Sequence, residues 1–142
     1  LKSWADLKKK EMPCGIVMSI FAANNYFENE RDDISLNQTL KNILYDLNRN
    51  NFRCLRPTPK IGEDLLKEKS IEEKEFFRKS LEDFIISSDL ALNNPNPKEA
   101  CLKWKHHLGD RFPCHLAKNE IEGAKTYLAP PIKQDNSRSA KI

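Results

Sequence analysis

Two helix-start signals and a scatter of prolines constrain this chain more than any other feature. Ser70-x-x-Glu73 is a capping box, in which a serine hydroxyl satisfies an orphan amide and the glutamate reaches back to the serine N–H. Asn96-Pro97-x-Glu99 sets a capping side chain before a proline at the first helical position, with Glu99 completing a second box and Gly109 supplying the stop. Elsewhere apolar residues recur at helical spacing. No stretch of any length alternates with the period of two that a half-buried strand requires. The fold class is therefore all-α, an irregular bundle of about five helices.

The first helix spans residues 1–11 and stops at Met12-Pro13, where proline forbids continuation. The second starts at Pro13 or Cys14. Ile16, Val17, Met18, Ile20, Phe21, Ala22 and Ala23 make it apolar almost all round, which predicts the buried centre of the bundle. A polar loop then begins at Asn24-Asn25 and reaches Asp32. The third helix is capped near Asp33 or Ser35, buries Leu36, Leu40, Ile43, Leu44 and Leu47, and closes in Asn48-Arg49-Asn50-Asn51. Phe76, Phe77, Leu81, Phe84 and Ile85 form the core stripe of the fourth. Residues 52–69 make one long connection punctuated by Pro57, Pro59 and Gly62. Connections of that length are uncommon and often functional, so a site is sought there first. Residues 1–116 read as one helical lobe, and residues 117–142 as a weak helix followed by a flexible C-terminal tail.

Charge alone does not point to nucleic acid. With 24 Lys+Arg against 21 Asp+Glu, a net of +3 is too small for broad nucleic-acid binding. Lys8-Lys9-Lys10 reads as a solvated helix face, and Arg53, Arg56 and Lys60 form a second basic cluster. The longest apolar run, around residues 15–23, is too short to span a bilayer, and no secretory signal is read, so the expected location is cytoplasmic and no membrane is involved. Cys14, Cys54, Cys101 and Cys114 show no C-x-x-C pairing, which favours free thiols with no disulfide partner. Cys101, His106, His107, Cys114 and His115 match no familiar zinc spacing, so no metal is assigned.

The sequence carries no recognisable catalytic constellation. There is no nucleophile elbow and no glycine-rich phosphate loop. The acidic pairs Glu30-x-Asp32 and Glu120-x-Glu122 fall in a loop and a weak helix, whereas two-metal phosphoryl transfer needs carboxylates on rigid elements. No catalytic residue is assigned, and the chain by itself is expected to be inactive. Because Leu1 opens inside a helical pattern without an initiator Met, the chain is expected to be part of a longer protein.

An ordered series of short motifs carries a resemblance. Leu1-Lys2-Ser3-Trp4-Ala5-Asp6, Met12-Pro13-Cys14-Gly15-Ile16 and Arg31-Asp32-Asp33-Ile34-Ser35-Leu36 come first. Arg56-Pro57-Thr58, Gly62-Glu63-Asp64-Leu65-Leu66, and Trp104 with Leu108-Gly109-Asp110-Arg111-Phe112-Pro113 follow. Together they resemble the C-terminal helical half of the bacterial cyclic-oligonucleotide synthases of anti-phage signalling, which are relatives of cyclic GMP–AMP synthase and oligoadenylate synthase. The resemblance implies the C-terminal lobe of a two-lobed nucleotidyltransferase that joins ATP, GTP or another NTP into a cyclic di- or trinucleotide. It implies Mg2+ as cofactor, bound by carboxylates of an N-terminal catalytic lobe absent from this chain. It also implies three nucleotide-binding positions. Lys2 corresponds to a triphosphate contact, apt for a mobile point charge. Cys14 stands where the family has a small hydroxyl residue at a helix N-terminus; the hydroxyl is lost, but backbone donors of Cys14 and Gly15 remain. Asp64 corresponds to a residue that recognises the acceptor base, since a carboxylate reads amino donors on a purine edge. Regulation in such enzymes implies a ubiquitin-transfer-like or a HORMA-type partner protein.

The rival class is a non-catalytic helical protein-interaction module. A nucleotide lobe predicts Lys2, Cys14 and Asp64 around one cleft; an adaptor predicts them scattered beside a contiguous apolar patch.

Overall fold

Ser70 and Asn96 start helices as their chemistry requires. A computed structural model describes residues 1–8, 12–57 and 62–117. Five α-helices follow in order: α1 (Lys2–Lys8), α2 (Gly15–Asn25), α3 (Asp32–Arg49), α4 (Ile71–Leu92) and α5 (Pro97–Leu108), then a 3-10 turn (Cys114–Leu116). Among the described residues there is no strand, only an isolated antiparallel bridge between Leu55 and Asp64. The fold is an irregular helical bundle. No helix among the described residues is long and apolar enough to cross a membrane. The weak helix and tail expected beyond residue 117, and Lys9, Lys10, Pro59 and Lys60, lie outside the described residues.

The capping box at α4 is complete: Ser70 Oγ accepts from the Glu73 amide at 3.1 Å, and Glu73 Oε1 accepts from the Ser70 amide at 3.0 Å. That backbone hydrogen bond holds the Glu73 carboxyl below its ordinary pKa. The box expected at α5 is only half formed. Asn96 Oδ1 accepts from the Lys98 amide at 3.1 Å, but the Asn96 N–H donates to Asn94 Oδ1 rather than to Glu99. Glu99 accepts instead from the side-chain amides of Asn94 and Asn96. α3 begins at Asp32, ahead of both expected caps, because those side chains have other partners. Asp33 is clamped by the Arg31 guanidinium at 3.1 and 2.6 Å, and Ser35 Oγ donates to the Phe27 carbonyl at 2.6 Å. α3 ends with Asn51 in the left-handed region (φ 56°) and the Phe52 amide donating to the Leu47 carbonyl, a Schellman-type closure.

The centre of the bundle is α4, not α2. α4 packs on both α3 and α5, whereas α2 buries one face, Val17, Met18 and Phe21, and leaves Ile16 53% exposed. An apolar run finished with two small alanines needs no second covering layer. Asn24 and Asn25, expected in a loop, close α2, because the Asn25 amide group donates to Asp46 Oδ2 of α3 at 3.0 Å. Phe84 of α4 is the hub of the core. Trp4 of α1 lies 5.2 Å from its ring, His107 of α5 stacks at 4.7 Å, and Trp104 meets it edge-on at 6.1 Å. Between α3 and α4, Asn37 donates to Ser88 Oγ at 2.6 Å and Asp89 Oδ1 at 3.0 Å, and Lys41 pairs with Asp89 at 2.9 Å. Burial works against the Asp89 charge, but these bonds outweigh it and keep its carboxyl below the ordinary pKa.

The cysteines correct one expectation. Cys101 and Cys114 form a disulfide, with Cα atoms 5.6 Å apart, and only Cys14 and Cys54 are free. Gly109 (φ 101°) turns the chain back after α5, and the 3-10 turn brings Cys114 onto the buried face that carries Cys101. Spacing could not reveal this, since 13 residues of separation match no disulfide motif.

Candidate functional site

Met12 and Pro13, both buried, fold the connection between α1 and α2 tightly. α1 buries Trp4 and Ala5 and leaves Lys2 and Asp6 on its solvent side. The result is a cleft of about 270 Å3 lined by Lys2, Ala5, Asp6, Met12, Pro13, Cys14 and Gly15. Two of the three residues singled out in the sequence, Lys2 and Cys14, therefore line one cleft.

The floor of the cleft is the N-terminus of α2. Cys14 is the N-cap residue, and its side chain makes no capping hydrogen bond. The amides of the first helical turn, Gly15, Ile16 and Val17, have no intrahelical acceptors, and the helix dipole is positive at this end. Lys2 reaches across them. A methyl group built on Gly15 would lie 3.2 Å from Lys2 Cε and 4.0 Å from Nζ, so the lysine stem lies close over Gly15. Asp6 stands one turn along α1 yet makes no ion pair with Lys2 among the described residues. An ammonium and a set of free amides thus converge on one volume, which suits an anion rich in oxygens.

Asp64 does not line this cleft. Its Oδ1 accepts from the Cys54 amide and the Leu66 amide, each at 3.0 Å, and so fastens the long connection to itself. The same segment is tied by Arg56 N to the Glu63 carbonyl at 2.8 Å, Leu65 N to the Cys54 carbonyl at 2.8 Å, and an Arg56–Glu63 ion pair at 2.8 Å. What read as an irregular loop is a braced excursion. The Cys54 thiol beneath it is pushed up to about 11 by burial, then by Asp64, Asp46 and Cys14.

A second cleft of about 240 Å3 opens beside Cys54, with Asn24, Asp46, Asn50 and Arg53 at its polar rim and Ile20, Phe21 and Leu55 as apolar lining. The sequence pointed to residues 52–69 but did not bring Arg53, Cys54 and Leu55 together with Asn24, Asp46 and Asn50. Asn24 and Asn50 look like ordinary helix-end residues, and no local pattern signals that α2, α3 and residues 53–55 meet. His107 is a core residue. Its Nε2 pairs with Ser87 Oγ at 2.9 Å, and burial first, then His106 and Lys8, push its pKa down to about 4, so it is neutral at pH 7. Its Nδ1 and the indole N–H of Trp4 are buried with no hydrogen-bond partner among the described residues. Among the described residues no group of three or more His, Cys, Asp or Glu converges to hold a metal, and the disulfide takes Cys101 and Cys114 out of any zinc set. No protein-family model matches the chain.

Proposed function

We propose that this chain is the helical nucleotide-binding lobe of a Mg2+-dependent nucleotidyltransferase that makes a cyclic di- or trinucleotide signal in anti-phage defence. The observation that carries the reading is the Lys2 ammonium held over the uncapped N-terminus of α2. A nucleoside triphosphate needs positive charge and several donors at one place, and here a point charge, backbone amides and a helix dipole supply them together. The thiol of Cys14 adds little to this, because the amides do the binding. Asp64 lies outside the Lys2 cleft and braces the long connection, so only two of the three positions expected around one cleft meet there, and the reading rests on Lys2 and the amides of α2.

Mg2+ belongs, in this reading, to a catalytic lobe elsewhere in the protein, where it would neutralise the transferring phosphoryl group. The described residues do not offer it a site of their own. The same reading places the protein in the cytoplasm, with a ubiquitin-transfer-like or HORMA-type protein as regulator. In the full-length enzyme, Lys2→Ala is expected to raise KM for the donor nucleotide about tenfold. The exposed side chain predicts little change in stability. Unchanged kinetics would remove Lys2 from the site.

The adaptor reading draws on Ile86 and Leu90, one turn apart on α4 and 58% and 54% exposed. If those two residues are the functional surface, changing both to serine abolishes partner capture and leaves nucleotide binding absent throughout.

A further inference from the structure

We infer that the Cys101–Cys114 disulfide is a redox-operated brace on α1, the helix that carries Lys2. The described part of α1 is seven residues, and helices shorter than about 12 residues do not hold by themselves, so its placement depends on what it packs against. Besides Trp4 and Ala5 in the core and its packing on α2, it is tied to the end of α5 at two points. Ser3 Oγ donates to the Leu108 carbonyl at 2.7 Å, and the Leu7 side chain covers Gly109, lying 3.5 Å from where a Cβ would stand. The chain after Gly109 folds back through the Phe112 amide on the Gly109 carbonyl and the Cys114 amide on the Phe112 carbonyl. The disulfide then fixes this return to α5. The physical path runs from the bond to the turn at residues 109–113, to Ser3 and Leu7, and so to Lys2 above Gly15.

A cysteine pair in this setting responds to a dithiol reductant. One thiolate of the dithiol attacks a sulfur of the bond, the S–S bond breaks and a mixed disulfide forms. The dithiol's second sulfur resolves it and leaves as an intramolecular disulfide, while two electrons and two protons end on Cys101 and Cys114. Cys114 is buried, but it sits in a three-residue turn flanked by the exposed Pro113, His115 and Leu116. Opening that short turn is enough to admit the attacking thiolate. Reduction then frees the turn, slackens the two attachments and lets α1 fray. The consequence for anion binding rests on the reading of Lys2 as a phosphate grip; the mechanical link to α1 does not.

The test compares amide hydrogen exchange in the full chain, oxidised and after reduction by dithiothreitol, with tripolyphosphate affinity measured on the same samples. Reduction is expected to speed exchange in α1 by about tenfold while amides around Leu40 of α3 and Phe84 of α4 change less than about twofold. Tripolyphosphate affinity should fall about fivefold in parallel. Ser3→Ala, with the disulfide intact, should loosen α1 in the same direction. Unchanged α1 exchange on reduction overturns the brace, and so does an equal loss of protection in every helix. Loosening of α1 in a chain that binds no tripolyphosphate in either state supports the brace and overturns the phosphate grip.

Discussion

Replacing Asp64 with alanine removes the acceptor for two amides at once. Cys54 and Leu66 are 2% and 1% exposed, and their N–H groups both donate to Asp64 Oδ1 at 3.0 Å. Leaving a buried donor without a partner costs about 1–3 kcal/mol, so two such donors, partly relaxed, should cost about 3 kcal/mol. At a urea m-value of about 2 kcal/mol/M this lowers the unfolding midpoint by about 1.5 M. Tryptophan fluorescence reports the transition, because Trp4 and Trp104 are both buried in the core. Asp64→Asn keeps an oxygen in place and should lose about 1 kcal/mol. If Asp64→Ala shifts the midpoint by less than about 0.3 M, the carboxylate is not the fastening of the long connection. Its role would then be outside the fold.

Three further predictions concern single side chains. The pKa of His107 is lowered to about 4 in the folded chain, so between pH 6.5 and 4 the unfolded chain binds a proton that the folded chain does not. The stability this represents is complete above pH 6.5 and is lost as pH falls toward 4, up to about 3 kcal/mol. Glu73 and Asp89, also lowered, act only at more acid pH, so the slope of unfolding free energy between pH 5 and 6.5 should flatten in His107→Gln; equal slopes contradict the assignment. Ser70→Ala removes the hydroxyl half of the α4 capping box, keeping only the Ser70 N–H to Glu73 bond, and should cost about 1 kcal/mol by urea titration, while no loss would mean the helix start is fixed by packing alone. Asp6→Asn removes the one carboxylate among the described residues that line the Lys2 cleft and should tighten tripolyphosphate binding about threefold, most clearly at low salt. Weaker binding would place the anion elsewhere.

Helix existence was legible wherever chemistry marks a boundary. Ser70, Pro97 and Gly109 act through the local backbone, so their effect does not depend on the rest of the fold. The core stripes of α3 and α4 were legible for the same reason, since periodicity is a local record of burial. What depends on distant partners was not. Asp33 fails as a cap because Arg31 takes it, Asn25 joins α2 because Asp46 of α3 receives its amide, and Glu99 is drawn away by Asn94. The disulfide is the extreme case, since only the turn at Gly109 brings Cys101 and Cys114 together. At the candidate site, the resemblance implied Lys2, Cys14 and Asp64 around one cleft, and the structure brings only Lys2 and Cys14 to it. The place of Asp64 apart from them, and the presence of Asp6 beside them, became visible only in three dimensions.

The most direct test of the central claim is a titration of the isotopically labelled chain with tripolyphosphate, followed by amide chemical shifts. The account predicts saturable shifts centred on Gly15, Ile16 and Val17, abolished by Lys2→Ala with the rest of the spectrum unchanged. No shifts at the start of α2, or shifts there that persist without Lys2, would contradict a phosphate grip built from that lysine and that helix.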